Sequence, residues 1–270
     1  MNIMASTEHT VSIDKEATVG AGSQTLMRGL DVLEAIARET MSLPQLADHL
    51  ELTKSTTHRL ASALVERGYL AFTPRAGYRL GPKLLELGAL AHIQADLIQI
   101  AREHLEALSA STEDTVHLGI LEGDYALYLD KRPGRRRITI SSQVGDRQPL
   151  TSTGLGKALM LDHSPAYWRE RFEADQAGGS HPADWDVWVA RMHSYVEAGR
   201  AFDLEENEDQ IRCVAAPVRD AKNSIVGAIS VSSAAQYMSD DRMDELSNTV
   251  REVANAVSRD IGWIGNQIKK

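Results

Sequence analysis

Thr53-Lys54-Ser55-Thr56-Thr57-His58-Arg59 places hydroxyls, an imidazole and two cations within two turns of chain. That donor set hydrogen-bonds base edges and phosphate oxygens. A second cluster, Thr151-Ser152-Thr153-Gly154-Leu155-Gly156-Lys157, opens a helix with small residues that leave backbone N–H groups accessible, a natural seat for an anion. It ends like a phosphate-binding loop but fails on spacing. Thr151 stands where the first glycine belongs, and Ala158 where the magnesium-binding hydroxyl belongs. There is no His-Glu-x-x-His helix and no Gly-x-Ser-x-Gly elbow, and His117, His163 and His181 lack metal-ligand spacing. No catalytic residue, metal or cofactor is therefore expected.

The elements that must position the first cluster are legible on both sides of it. Ser42-Leu43-Pro44-Gln45 is a capping box, and Leu43, Leu46, Ala47 and Leu50 follow at helical spacing. Thr53 caps a new helix in which Leu60, Ala63 and Leu64 face inward. Lys54, Ser55, His58 and Arg59 are then free in its N-terminal turns, where a recognition helix meets bases. Upstream, Leu26, Leu30, Leu33 and Ala37, with Val32 and Ile36 alongside, predict the apolar face of a helix from Ser23 to Arg38. Downstream, Tyr69 to Phe72 and Tyr78 to Leu80 flank Thr73-Pro74-Arg75-Ala76-Gly77, the turn chemistry of a hairpin wing. Between Thr53 and Lys83 six cations face Glu66 alone, a local net of +5 in a chain of net −9. The reversal suits phosphate contact by Lys54, Arg59 and the wing arginines Arg75 and Arg79. A helical hairpin serving a protein interface is the competing reading.

Composition sets the remaining bounds. At 270 residues, 43% hydrophobic and 25% charged, the chain has room for two globular domains. No apolar run is long enough to span a bilayer, and residues 1–22 lack a signal core, so a disordered arm and a cytoplasmic location are expected. Cys213 is the only cysteine, which excludes an intramolecular disulfide. Residues 93–270 carry 20 basic and 28 acidic side chains, a poor surface for DNA. There, strands are expected over 115–121, 125–131 and 135–142, then over 201–203, 211–218 and 225–232. Helices are expected at 83–93, 97–109, 165–174, 185–199 and 240–264. Trp168, Trp185 and Trp188 fall in helices read as surface helices away from the second cluster.

These motifs, in this order and spacing, resemble the IclR family of bacterial transcription regulators from Gln24 to Gly262. The likeness rests on Leu52 to Leu60, Tyr78-Arg79-Leu80-Gly81, Val144-Gly145 with Pro149-Leu150, Thr153 to Ala158, and Ala201 to Asn207 leading to Ile211 to Val218. The resemblance implies an α+β chain. Its parts would be an arm (1–22), a winged helix-turn-helix domain (23–82), a linker helix (83–96) and a GAF-like effector-binding domain (97–270).

The DNA-binding residues expected are Thr53, Lys54, Ser55, Thr56, His58, Arg59, Arg75 and Arg79. Carried over residue by residue, the metabolite pocket would use the Gly154 and Leu155 backbone, Asp203, Cys213, Ser230 and Ser232. Against that stand plainer readings: Cys213 as a small buried hydrophobe, Asp203 to Asp209 as a solvated acidic loop, and Gly154 and Gly156 as packing glycines. Gly22 to Leu30 looks like the branch that controls sugar-acid and keto-sugar-acid catabolism; aromatic-acid and small keto-acid sensors are the alternatives. The partners implied are an operator in double-stranded DNA, a small carboxylate effector, and a second copy in a homodimer or dimer of dimers. A ligand-blind architectural DNA binder is the rival class.

Overall fold

A computed structural model describes residues 21–137, 140–178 and 184–265. The chain divides into two compact units after Gln94. The arm expected over 1–22 lies outside the described residues except for Ala21 and Gly22, which begin the first helix.

The first unit runs α1 (Ala21–Arg38), α2 (Leu43–His49), α3 (Lys54–Glu66), β1 (Leu70–Thr73), β2 (Gly77–Leu80) and α4 (Pro82–Gln94). Gln45 Oε1 accepts from the Ser42 N–H at 2.9 Å and from its hydroxyl at 2.6 Å, which starts α2. Thr53 Oγ1 accepts from the Thr56 N–H at 3.3 Å and starts α3. Val32, Ile36, Leu46, Leu60, Leu70 and Tyr78 form the core. The apolar face expected on α1 is wrong in its first half and at Ala37, which is exposed. Leu26 and Leu30 are exposed, and the buried stripe is Val32, Ala35 and Ile36, at i, i+3 and i+4. β1 and β2 pair antiparallel as the wing, and a bridge from Met41 to Tyr78 ties it to the start of α2. Gly77, at φ +100°, permits that bridge, because a Cβ there would collide with the Met41 carbonyl.

The second unit runs α5 (Leu97–Thr112), β3 (Thr115–Glu122), β4 (Tyr125–Arg132), β5 (Arg147–Pro149), α6 (Gly154–Leu159), α7 (Pro165–Ala177), α8 (Trp185–Ala198), β6 (Ala201–Leu204), β7 (Ile211–Arg219), β8 (Ile225–Ala234) and α9 (Asp240–Asp260). Its six strands pair antiparallel in the order β5-β4-β3-β8-β7-β6. Strand alternation divides the core between the two faces. Val116, Leu118, Val214, Ala216, Ile229 and Val231 pack with α5 and α9. Cys213, Ala215 and Ala228 share the opposite cluster with residues of α6, α7 and α8.

Three expectations fail here. Among the described residues of 135–142 no strand forms. Arg136 Nε donates to Asp114 at 2.6 Å and the Arg135 N–H to Glu113 O, which draws the segment to the end of α5, while β5 takes the sheet edge. The last helix stops at Asp260, because Gly262 adopts φ +95° and the Gly262 and Trp263 N–H groups bond back to Arg259 and Ser258, a Schellman ending. Trp168 and Trp188 are core residues at 2% and 1% exposure, not surface ones. They pack edge to face, and Trp185 stacks on Trp188.

Candidate functional site

The winged unit presents its polar donors outward. Lys54, Ser55, His58 and Arg59 are exposed on α3, and Arg75 and Arg79 on the wing. Among the described residues none of Lys54, Arg59, Arg75 or Arg79 is in an ion pair, so no carboxylate neutralises this face. Thr53 and Thr56 are already engaged: Thr53 Oγ1 donates to Thr56 Oγ1 at 2.9 Å. Their first task is the cap. At the wing tip the Ala76 N–H bonds to Thr73 O at 3.1 Å, and Arg75 sits at φ +71°. That is the third position of a type II turn, where glycine is favoured. A cation is held at a strained place.

In the second unit a cavity of about 70 Å³ opens where the start of α6 meets β6, β7 and β8. Gly154, Asp203, Cys213 and Ser232 line it, with Thr153, His117, Tyr128 and Gln148. Register explains the convergence: Cys213 pairs with Asp203 on one side and Ser232 on the other, and Ser232 pairs with Thr115. Gly154 is needed for close approach, since a Cβ there would stand 2.9 Å from Cys213 Sγ and 3.2 Å from the Asp203 nitrogen. The first N–H groups of a helix have no intrahelical partner, and Gly154, at the start of α6, itself lines the cavity. The Leu155 side chain is fully buried in the core instead. Ser230 is buried and off the cavity lining, its hydroxyl beside the Cys213 thiol with no nitrogen or oxygen partner among the described residues.

The corner is braced from behind. Trp188 Nε1 donates to Thr151 O at 2.8 Å, Asp175 accepts from the Thr151 N–H and hydroxyl, and the Ser152 hydroxyl donates to Asn207. Lys157 is 1% exposed; it donates to Phe202 O at 2.9 Å and pairs with Glu206. The acidic loop is therefore not wholly solvated. Glu206 carries a buried pair, while Asn207 and Glu208 reach the cavity wall. Sequence reasoning missed His117, Tyr128, Ser142, Gln148 and Asn207, because they come from separate strands and loops and form no motif.

The electrostatics are those of a polar, cation-free pocket. Among the described residues no Lys or Arg lines it. Burial raises the Asp203 pKa to about 6, against the pull of Lys157 and of the Glu206 and Asn207 backbone N–H groups. Burial, and then Asp203, pushes Cys213 up to about 12, so it remains a thiol. Burial and Lys131 lower His117 to about 3, so its ring is neutral. Such a site can give hydrogen bonds from N–H groups and hydroxyls, and its Asp203 carboxyl takes up a proton more readily than an exposed one. It holds no nucleophile–base pair, and among the described residues no cluster of metal ligands occurs.

Comparison with known proteins agrees with both halves. Residues 25–74 match the IclR helix-turn-helix domain, and residues 90–259 match the bacterial transcriptional regulator IclR C-terminal domain. The DNA-binding transcriptional repressor YiaJ of Escherichia coli (strain K12) is 30% identical over 97% of this chain and 95% of its own. The HTH-type transcriptional regulator XynR of the same organism is 31% identical over 89% of this chain and 98% of its own. The crystal structure of Pseudomonas aeruginosa HmgR superposes with a TM-score of 0.79 at 22% identity, over 90% of this chain and 100% of that one, which speaks for the fold. With a winged unit, a cavity-bearing α+β unit and matches along nearly its whole length, the chain belongs to the IclR family of bacterial transcription regulators and is not an enzyme.

Proposed function

We propose that this regulator is a cytoplasmic repressor of a catabolic operon that binds its operator as a homodimer or dimer of dimers and releases it on binding a small carboxylate. The observation that carries the DNA-binding half is the cationic face of α3 and the wing, on which no described ion pair sits. Base reading falls to Lys54, Ser55, His58 and Arg59, phosphate contact to Arg75 and Arg79, and positioning to Thr53 and Thr56. Relatives described as repressors support the sign of control.

The cavity supports the effector half. A carboxylate would rest on the Gly154 and Leu155 N–H groups, with Asp203, whose raised pKa eases uptake of a proton, beside it and Cys213 and Ser232 shaping the wall. Among the described residues Tyr128 is the single Phe, Tyr or Trp in the lining, which favours a hydroxylated acid of the sugar-acid type over a flat aromatic one. Effector binding that differs by ~1–3 kcal/mol between DNA-competent and incompetent states would change operator affinity about 5- to 150-fold. Fluorescence anisotropy with an operator fragment tests both halves. Arg59→Ala is expected to weaken binding and relax preference at one base pair by ~1–3 kcal/mol. Asp203→Ala is expected to keep DNA affinity and blunt the ligand response. Undiminished affinity in the first, or a wild-type dose response in the second, refutes the corresponding assignment.

A further inference from the structure

The cavity has a second polar pole that the carboxylate seat does not use. His117, on β3, is 1% exposed and lines the cavity. Its Nε2 lies 2.8 Å from Ser142 Oγ, and its Nδ1 has no partner among the described residues. Ser230, its register partner on β8, is equally buried, and its hydroxyl has no partner stronger than the Cys213 thiol. His117 Nδ1 is thus left with the cost of an unmet hydrogen bond, and the Ser230 hydroxyl on the adjacent strand with a weak thiol contact at most. Lys131 does not serve them, since its Nζ donates to Ile140 O at 2.7 Å and Ser142 O at 2.5 Å, which anchors the 140–142 segment against β4.

We propose that His117, assisted by Ser142 and Ser230, is the specificity-determining residue that reads a hydroxyl of the effector, so that the ligand class is hydroxy acids. The inference rests on the carboxylate-sensing reading above and deepens it. A neutral imidazole has one donor and one acceptor nitrogen. With Nε2 engaged by Ser142, Nδ1 offers whichever role is left. A hydroxyl, which both donates and accepts, satisfies either tautomer. A keto oxygen only accepts, and an unsubstituted carbon chain satisfies neither atom.

The test is isothermal titration of the full chain with three acids of one carbon skeleton: propionate, pyruvate and glycerate. Glycerate is expected to bind wild type about 10- to 100-fold more tightly than propionate. His117→Leu is expected to bring that ratio within threefold of unity, while His117→Asn, which keeps a donor and an acceptor near the same place, retains a preference of at least fivefold. Ser230→Ala removes one atom and tests the pole should His117→Leu fail to fold; it is expected to lower the ratio. Equal binding of glycerate and propionate by wild type would mean that water satisfies the pole, and would overturn the inference. So would tightest binding of pyruvate, or an unchanged ratio in the folded variants. In those cases the carboxylate seat stands. Binding of none of the three acids overturns the inference and, if longer acids also fail, the carboxylate reading with it.

Discussion

Asp203 is a carboxyl buried beside a lysine already committed to another acid, and its proton is correspondingly hard to remove. Its pKa of about 6 in the folded chain exceeds the ordinary value of 3.8. Between those values the native chain therefore binds more protons than the unfolded one. The stabilisation is fully present below about pH 4 and is lost as pH rises through about 6. Relative to Asp203→Asn, the wild-type second unit is expected to lose up to ~3 kcal/mol across that window, read by urea denaturation at each pH. A flat difference would mean that Asp203 is solvated. Arg75 carries the opposite kind of cost, in its backbone. Arg75→Gly relieves φ +71° and is expected to stabilise the wing by up to ~1 kcal/mol. The same change is expected to reduce the salt slope of operator binding by about one. A retained slope would place Arg75 off the phosphates.

At the scale of elements, the start of α6 holds the second unit's cavity together because three neighbours bind it and one glycine lets it in. Gly154→Ala is expected to cost ~1–3 kcal/mol by pushing the new Cβ onto Cys213 Sγ, 2.9 Å away. Cys213→Ala in the same chain is expected to recover part of that loss, a coupling that a double-mutant cycle measures. Simple additivity would show that the contact is relieved elsewhere. The buried pair between Lys157 and Glu206 ties α6 to the loop after β6. Glu206→Ala leaves the ammonium buried without its carboxylate and is expected to cost ~3–5 kcal/mol, measured by denaturation. A loss under ~1 kcal/mol would mean that Phe202 O and water satisfy Lys157.

For the whole molecule, the winged unit leaves Leu26, Met27 and Leu30 on α1 and Leu85, Leu87 and Leu90 on α4 exposed. One wing and one recognition helix read a short half-site, and a second copy of the chain is the expected occupant of those apolar residues. Leu26→Glu with Leu30→Glu is expected to shift sedimentation toward the monomer and weaken operator binding, with the core of Val32 and Ile36 intact. An unchanged oligomer would place the interface in the second unit. Much of this was legible in the chain itself. The caps at Ser42 and Thr53, the Gly-bearing wing turn and the alternation of β7 are local signals, written where backbone hydrogen bonds and strand periodicity act over a few residues. The charge reversal around α3 is local too. Segments decided by distant partners read differently. Residues 135–142 look like a strand until Asp114 captures Arg136, Leu26 and Leu30 match the helical period yet find no core, and Trp188 reads as surface although Thr151 O takes its indole N–H. The order of motifs thus determined family and fold class. Only the folded sheet brought His117, Asp203, Cys213 and Ser232 into one cavity, because antiparallel register joins residues more than a hundred positions apart that no sequence spacing records.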